Sequence, residues 1–285
     1  MKMKKTVGLV LMSALLLAGC SNGSTAAQGA EGAQGNQQPQ QEAGGKIAVS
    51  GSTSTEKIIK ALADEYSALH PDVEITYEGI GSSAGVKNAI DGVSDIGTAS
   101  REIKEEEKAS GLTEDVFAYD GIAVVVNPAN GVNDLTMDQI AAIYNGEITN
   151  WQEVGGKDGQ IAVVSREEGS GTRSAFEEIL GLEKITQNAD IAEGNGNVQT
   201  TVAGNPQAIG YVSFTYIDET VKPLLVEGAE PTVEDVLSGA YQLSRPFVMV
   251  YPAEQASPLT KDFISFTDSE EGKMIIEENG GIVEK

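Results

Sequence analysis

The chain has 285 residues, of which 40% are hydrophobic and 22% are charged, so most of it can bury a core and a wholly disordered protein is excluded. Its formal net charge of -24 argues against nucleic acid as a partner, because phosphate backbones are bound by clustered lysine and arginine. One cysteine and one histidine exclude an intrachain disulfide framework and a zinc site built on thiolates.

The first twenty residues have the pattern of a secretory signal. Three lysines among the first five residues precede an apolar run at 7–18, which is shorter than a typical membrane span. The run ends in Leu-Ala-Gly-Cys, which resembles a bacterial lipobox, in which the cysteine becomes the lipid-bearing first residue. We therefore expect residues 1–19 to be a lipoprotein signal peptide and Cys20 to carry the lipid (a palmitate modification). The alternative is a plain signal peptide with an incidental cysteine.

The next segment, residues 20–45, has the composition of a linker. It consists almost entirely of Gly, Ala, Gln, Ser and Asn and contains no large apolar side chain. Such a segment cannot bury enough surface to offset its ordering entropy, so we expect it to be disordered. The folded part then has about 240 residues, which suits one large or two modest α/β domains.

From residue 46 onward, strand-like apolar runs alternate with helical patterns. In chain order, the pattern predicts a strand at 46–49, a helix at 58–69, a strand at 73–77, a helix at 86–90, strands at 95–97 and 122–126, a helix at 135–144, a strand at 161–164, a helix at 172–180, strands at 209–214 and 246–251, and helices at 259–266 and 271–278. The run at 122–126 is typical of a strand buried on both faces. This alternation predicts an α/β fold with a mostly parallel sheet.

Four strand-to-helix turns share small hydroxyl residues, and two of them also contain an arginine beside the hydroxyl group. The turns are Gly51–Glu56, Gly79–Gly85, Thr98–Arg101 and Ser165–Arg173. A helix start exposes unpaired N–H groups and a partial positive charge, and glycine lets an anion approach the backbone. Turns that converge at the carboxyl ends of strands would form a cradle for an oxyanion. The alternative is that these serines and threonines are ordinary helix caps, since residues 53–56 fit a capping box.

Enzymatic chemistry has weaker support in the sequence. The segment Glu168–Thr172 lacks the G-x-S-x-G frame of a nucleophile elbow, and the chain contains no Walker motif. His70 lies just past a predicted helix end, which favours a solvated cap over a catalytic base. We therefore predict no catalytic residue, no metal site and no cofactor.

The same four turns resemble, in the same order, those of the phosphate-binding proteins of ABC transporters. The segments Ile143–Trp151 and Ala208–Ser213 also resemble that family, and the resemblance extends over residues 46–285. It implies an α/β, two-lobed periplasmic-binding-protein fold (type II-like) with two crossing strands and a ligand cleft between the lobes. By analogy, residues 46–126 plus 245–285 form the first lobe and residues 127–244 form the second.

Carried over by position, the resemblance implies which side chains bind phosphate. The implied ligand-binding residues are Thr53, Ser54, Ser82, Ser100, Arg166, Ser170, Gly171 and Thr172, with Ser83 and Arg101 as further candidates. It also implies that Glu168 orients Arg166. Better-known family members have, at the third turn, an aspartate that accepts a hydrogen bond from protonated phosphate. This chain has Ser100 there, so we expect weaker discrimination against sulfate unless another carboxylate fills the role.

The expected protein is an extracytoplasmic lipoprotein that is anchored to the membrane through Cys20. The resemblance implies that it binds inorganic phosphate, delivers it to the membrane permease subunits of an ABC transporter, and acts as a monomer without enzymatic activity. Three alternatives remain open: binding of another oxyanion such as sulfate or molybdate, hydrolysis of phosphoesters through Ser170, and a surface adhesin that only keeps the fold.

Overall fold

The computed structural model describes residues 44–283. The predicted signal segment, Cys20 and the predicted linker as far as residue 43 lie outside the described residues. Gly45, which the prediction placed in the linker, is instead the first residue of a strand and pairs with Val73. Within residues 44–283, no helix combines the length and the apolarity that crossing a membrane requires.

Strands and helices alternate through the described residues. The strands are β1 Gly45–Gly51, β2 Val73–Gly79, β3 Ile96–Ala99, β4 Thr113–Val126, β5 Asp134–Leu135, β6 Ala162–Arg166, β7 Asp190–Ala192, β8 Ala208–Ser213, β9 Lys222–Pro223, β10 Leu225–Val226 and β11 Ser244–Tyr251. The helices are α1 Glu56–Leu69, α2 Ser82–Ile90, α3 Glu105–Lys108, α4 Met137–Asn145, α5 Gly171–Ile179, α6 Gly194–Gly204, α7 Val233–Ser238, α8 Pro258–Thr267 and α9 Glu270–Glu278.

Each strand and helix that the sequence pattern predicted is present, with ends that differ by a few residues. The main omissions are α6 and the first two-thirds of β4. The sequence of α6, Gly-Asn-Gly-Asn-Val-Gln-Thr-Thr-Val-Ala-Gly, has too few apolar residues to show a helical period. The start of β4 contains acidic residues and lacks the continuous apolar run that marks its end.

The main sheet has the strand order β2-β1-β3-β11-β4-β8-β6-β7, and β9 pairs with β4. β1 is parallel to β2 and β3, and β6 is parallel to β7 and β8. β4 and β11 are antiparallel to each other and to their outer neighbours β8 and β3. The prediction of a mostly parallel sheet is therefore wrong at the centre, where the chain crosses from one half of the sheet to the other and returns.

β4 and β11 join two separate hydrophobic cores. Phe117 and Ala118 of β4 pack in a core with β1, α1 and α8, whereas the end of β4 at 122–126 packs in cores formed with α4, α5, α6 and β8. On the return, Leu243 packs in the second half and Phe247 in the first. We call the half with β1–β3 the first lobe and the half with β6–β8 the second lobe. The core changes upstream of the predicted end of the first lobe, and the lobe boundaries stay a prediction.

Candidate functional site

Three turns of the first lobe bring buried hydroxyl groups together. The strands β1, β2 and β3 are parallel, so the turns that follow them lie at the same edge of the sheet. Ser52 Oγ donates to Ser100 Oγ over 2.7 Å, and the Ser100 N–H donates to Ser82 Oγ over 3.1 Å. Ser54, Ser82 and Ser100 are all fully buried. These hydroxyl groups are therefore shielded from bulk solvent.

The second lobe contributes the turn between β6 and α5. Arg166 ends β6, and Ser170 caps α5 by accepting a hydrogen bond from the Arg173 N–H over 3.2 Å. Gly171 and Thr172 form the first positions of α5, where backbone N–H groups have no partner inside the helix. The Arg166 side chain is 1% exposed, so its charge lies in a dry environment.

Direct contacts close the space between the two lobes. Ser54 Oγ lies 3.0 Å from Thr172 Oγ1, and Arg166 Nη2 donates to Thr53 Oγ1 over 3.3 Å. A Cβ atom on Gly171 would lie only 2.2 Å from Ser82 Oγ, so this close approach requires glycine. The eight residues predicted from the resemblance thus lie together in one cluster, which we call the cradle: Thr53, Ser54, Ser82, Ser100, Arg166, Ser170, Gly171 and Thr172.

The carboxylate that holds Arg166 is Glu167, and the expectation that Glu168 would do so is wrong. Arg166 donates through Nε to Glu167 Oε2 over 2.8 Å and through Nη2 to Oε1 over 2.7 Å, while Glu168 is exposed. The Gly194 N–H also donates to Glu167 Oε2. Burial would raise the pKa of Glu167, but the hydrogen bonds and charge of Arg166 outweigh it, so this pKa is lowered. Glu167 therefore stays ionised and fixes the guanidinium plane.

The further candidates Ser83 and Arg101 lie beside the cradle and contact each other. Arg101 donates to both carboxylate oxygens of Glu107, over 2.9 and 2.8 Å, and to Ser83 Oγ over 3.3 Å. Its guanidinium is thus directed at Glu107 instead of the cradle. The Ser83 N–H donates across the cleft to the Gly169 carbonyl over 3.1 Å. The structure assigns Arg101 to an ion pair and Ser83 to the contact between lobes.

Two buried side chains that contact the cradle, Asn195 and Arg245, are not among the residues predicted from the sequence. Asn195 follows the first residue of α6, and its Nδ2 donates to Thr53 Oγ1 over 3.1 Å and to Ser54 Oγ over 3.0 Å. Arg245 lies on β11 and donates through Nη2 to Ser54 Oγ over 3.1 Å. Arg245 is the one charged residue of a largely apolar strand, and this pattern indicates a buried charge with a specific partner.

Arg245 is balanced by Asp120 on the neighbouring crossing strand. The two side chains are 1% and 0% exposed and are joined by a 2.8 Å bond from Arg245 Nη2 to Asp120 Oδ2. Ser213 Oγ donates to the other carboxylate oxygen over 3.0 Å. Burial raises the pKa of Asp120 to about 6, against the charge of Arg245 and these hydrogen bonds, which lower it. The pair therefore sits at the crossing point of the lobes, directly behind the cradle.

The cradle consists of hydrogen-bond donors arranged around one cation, Arg166. Hydroxyl groups, helix N-termini and a guanidinium all favour an oxyanion. Within residues 44–283, no group of three or more His, Cys, Asp and Glu side chains is arranged to hold a metal ion. Ser170 Oγ is engaged in capping α5, and His70 stacks on Tyr66 at the end of α1. Neither arrangement provides the nucleophile and base of a hydrolase.

Comparisons with known proteins point to one family. The model of the PBP superfamily domain matches residues 36–271. The phosphate-binding protein PstS of Bacillus subtilis (strain 168) is 32% identical over 287 residues, which covers 99% of this chain and 95% of that protein. The protein of the same name from Borreliella burgdorferi is 30% identical and covers 98% of both chains.

Solved structures agree in fold. A putative phosphate ABC transporter substrate-binding protein from Clostridium perfringens, crystallised with bound phosphate, superimposes with a TM-score of 0.83 and 49% identity, covering 85% of this chain and all of that chain. An ABC-type phosphate transport receptor from Vibrio cholerae has a TM-score of 0.72 and 40% identity, covering 84% of this chain and all of that one.

Proposed function

Because the chain belongs to the PBP superfamily and, within it, to the PstS family of phosphate-binding proteins, we propose that its cradle binds inorganic phosphate. The protein is the phosphate-binding component of an ABC transporter and is not an enzyme, and the predicted two-lobed α/β fold is confirmed. The observation that carries the proposal is the convergence of buried hydroxyl groups, the start of α5 and the buried Arg166 in the cradle. That donor set matches an anion with four oxygens.

The available interactions suffice for tight binding. A micromolar site needs about 8 kcal/mol of net binding free energy. Each helix start contributes about 0.3–1 kcal/mol, and each charge-assisted hydrogen bond about 1.5–3 kcal/mol. The formal net charge of -24 repels phosphate at long range, but a Debye length of about 8 Å at physiological salt screens that repulsion. Capture therefore depends on the desolvated donors of the cradle.

Both lobes hold the ligand in this proposal. Thr53, Ser54, Ser82 and Ser100 belong to the first lobe, and Arg166 and the start of α5 belong to the second. An anion bound by both lobes stabilises the closed arrangement over an open one, so phosphate shifts the population towards closure. Small-angle scattering of the protein is expected to give a smaller radius of gyration with saturating phosphate.

The remaining parts of the proposal concern delivery. We infer that the extracytoplasmic protein is held at the cell membrane by a lipid on Cys20, acts as a monomer and hands phosphate to the membrane permease subunits of its transporter. The lipobox pattern at residues 17–20 supports the anchor. Membrane fractionation of the protein and of Cys20→Ala tests it, because loss of the lipid acceptor should release the protein.

Isothermal titration calorimetry with phosphate, sulfate and molybdate tests the function directly. We expect phosphate to bind most tightly and Arg166→Gln to weaken it. Stronger binding of sulfate or molybdate would assign the site to another oxyanion, and absence of any anion binding would favour an adhesin that only keeps the fold. Turnover of a generic phosphoester that is lost in Ser170→Ala would instead indicate a hydrolase.

A further inference from the structure

The amide orientation of Asn195 is fixed by the backbone. Its Oδ1 accepts the Ser213 N–H over 3.0 Å, and because a backbone N–H can only donate, the other end of the amide is the NH₂ group. The two hydrogens of that NH₂ group go to Thr53 Oγ1 and Ser54 Oγ, over 3.1 and 3.0 Å. Asn195 is fully buried, so it holds both hydroxyl groups from behind the cradle.

The hydroxyl groups of Ser54 and Thr53 have no acceptor capacity left. A hydroxyl group has two lone pairs and one hydrogen. Ser54 Oγ receives hydrogens from Asn195 Nδ2 and from Arg245 Nη2, and neither nitrogen can accept in return. Thr53 Oγ1 receives hydrogens from Asn195 Nδ2 and from Arg166 Nη2. Both hydroxyl groups can therefore only donate.

The same constraint passes to Thr172. Its Oγ1 lies 3.0 Å from Ser54 Oγ, and since Ser54 can only donate, Thr172 is the acceptor in that bond. Arg166 Nη1 occupies the second lone pair over 3.4 Å. The hydrogen of Thr172 is then directed to another group. The single hydrogen of Ser54 is used in that bond, so Ser54 passes the constraint to Thr172 and keeps no hydrogen for a ligand. We call Thr53, Ser54 and Thr172 the donor wall of the cradle, because Thr53 and Thr172 each keep a hydrogen for an anion and none of the three can accept one.

The facing hydroxyl groups are not constrained in this way. Ser100 Oγ accepts one hydrogen bond from Ser52 Oγ, and Ser82 Oγ accepts one from the Ser100 N–H. The two oxygens lie 3.4 Å apart and share one hydrogen bond, so the pair keeps one hydrogen and one lone pair for a ligand. We call Ser82 and Ser100 the mixed wall, because it can donate to an anion oxygen or accept a proton from one.

We propose that Asn195 and Arg245 are positioning residues that set the donor wall to donate only, so that the site selects phosphate carrying a single proton and directs that proton to the mixed wall. This inference rests on the proposed function. Phosphate with two protons would have to place a P–OH group against a hydroxyl wall that cannot accept it, or crowd both protons onto the mixed wall. An unsatisfied buried donor of that kind is unfavourable. Asn195 and Arg245 thus act on the ligand through Thr53, Ser54 and Thr172.

The charged and titratable groups around the donor wall come from several elements. They are Arg166 and Glu167 after β6, Arg245 on β11, Asp120 on β4, Tyr216, whose hydroxyl donates to the Thr53 carbonyl, and Lys57, which lies over the Tyr216 ring. Burial raises the pKa of Asp120 to about 6, and because wild type and Asn195→Ala share Asp120, the readout is the difference between their pH ratios. Between pH 6.5 and pH 8.5, inorganic phosphate itself changes from mainly doubly protonated to mainly singly protonated.

The test is calorimetric titration of inorganic phosphate into wild type and Asn195→Ala at pH 6.5 and pH 8.5. Wild type is expected to bind several-fold more weakly at pH 6.5. In Asn195→Ala, Thr53 and Ser54 each regain a lone pair, so we expect the ratio of the two dissociation constants to fall by about twofold or more. Asn127→Ala is the matched control, because Asn127 is a buried second-lobe asparagine that bonds only backbone groups of its own lobe in the described structure. Its ratio should equal that of wild type.

Arg245→Lys is a second variant that tests the constraint on the Ser54 hydroxyl group. It keeps a cation beside Asp120 but loses the fork that reaches Ser54, so the pH ratio should fall in the same direction, and it carries the test if Asn195→Ala does not fold. A loss of affinity by one common factor at both pH values would overturn the positioning role and leave Asn195 a merely structural residue. Failure of wild type to bind phosphate at either pH would instead overturn the proposed function.

Discussion

Gly171 is a position where the two lobes approach closely, and replacing it by alanine should block closure on the ligand. The added Cβ would lie 2.2 Å from Ser82 Oγ and 2.8 Å from Ser100 Oγ. Both neighbours are buried hydroxyl groups of the cradle, so they cannot turn aside without leaving their own partners. An ordinary contact between the added Cβ and Ser82 Oγ is at least 3.4 Å long, so the lobes would have to separate by 3.4 − 2.2 = 1.2 Å.

A separation of that size breaks the hydrogen bonds that span the cleft. The bonds from Arg166 to Thr53 and between Ser54 and Thr172 are already 3.3 and 3.0 Å long. Loss of one charge-assisted bond and one neutral bond costs about 2–4 kcal/mol, which corresponds to roughly 30-fold to 1,000-fold weaker binding. Alanine has a higher helix propensity than glycine by about 1 kcal/mol, so the start of α5 should not be destabilised.

Calorimetry with phosphate measures the loss, and thermal unfolding without phosphate checks that the variant folds. Gly196→Ala is the control: Gly196 also lies in the first turn of a helix near the cleft, but its added Cβ would meet its nearest atom, on Tyr216, at 4.0 Å. We expect the control to bind phosphate as wild type does. If Gly171→Ala binds within threefold of wild type, the lobes do not bind the ligand in the close arrangement seen around Gly171.

Three further outcomes are expected. Arg166→Gln should weaken phosphate binding by at least about 2 kcal/mol, or roughly thirtyfold. Arg101→Gln removes a similarly buried arginine with its own glutamate partner and should change the dissociation constant by less than about threefold. Equal losses in the two variants would show that Arg166 is not the cation that binds phosphate. Ser100→Asp should increase the preference for phosphate over sulfate, because a carboxylate accepts the proton of phosphate and repels sulfate; if wild type already excludes sulfate and the variant loses phosphate, the acceptor lies elsewhere. Burial and the charge of Asp268 raise the pKa of Asp115 to about 6, so the folded state binds this proton more tightly than the unfolded state, and the ionised carboxylate lowers stability above pH 6. After discounting for the partial exposure of Asp115, we expect Asp115→Asn to raise the unfolding temperature by about 2–4 °C at pH 8 and to leave it unchanged near pH 4. Equal effects at both pH values would contradict this assignment of the pKa.

The features that sequence reasoning found are local ones. The turn from Arg166 to Thr172 brings glycines, hydroxyl groups and a cation within seven consecutive residues, so its chemistry is visible before any fold is known. The two buried strands and the helix around it follow from short apolar patterns. What the pattern could not decide was whether Glu167 or Glu168 faces the guanidinium, because adjacent side chains diverge according to the turn, and here Gly169 adopts a φ of +87°.

The features that it missed depend on contacts between distant segments. Asp120 and Arg245 are 125 positions apart, and only the pairing of β4 with β11 brings them together. Asn195 belongs to a helix whose own sequence carries no apolar period, since α6 is stabilised by packing of Val198 and Val202 against the second lobe. The order of the strands in the sheet decides which distant residues lie behind the site, and that order cannot be read from a single sequence.

The direction of β1 separates its two ends by what they contact. This strand enters the sheet at Gly45 and ends at Gly51, next to the first hydroxyl turn of the cradle. Seven residues of strand extend over about 20 Å, so Gly45 and the cradle lie at opposite ends of the strand. A side chain introduced at the Gly45 end is therefore too far away to touch the donors of the cradle.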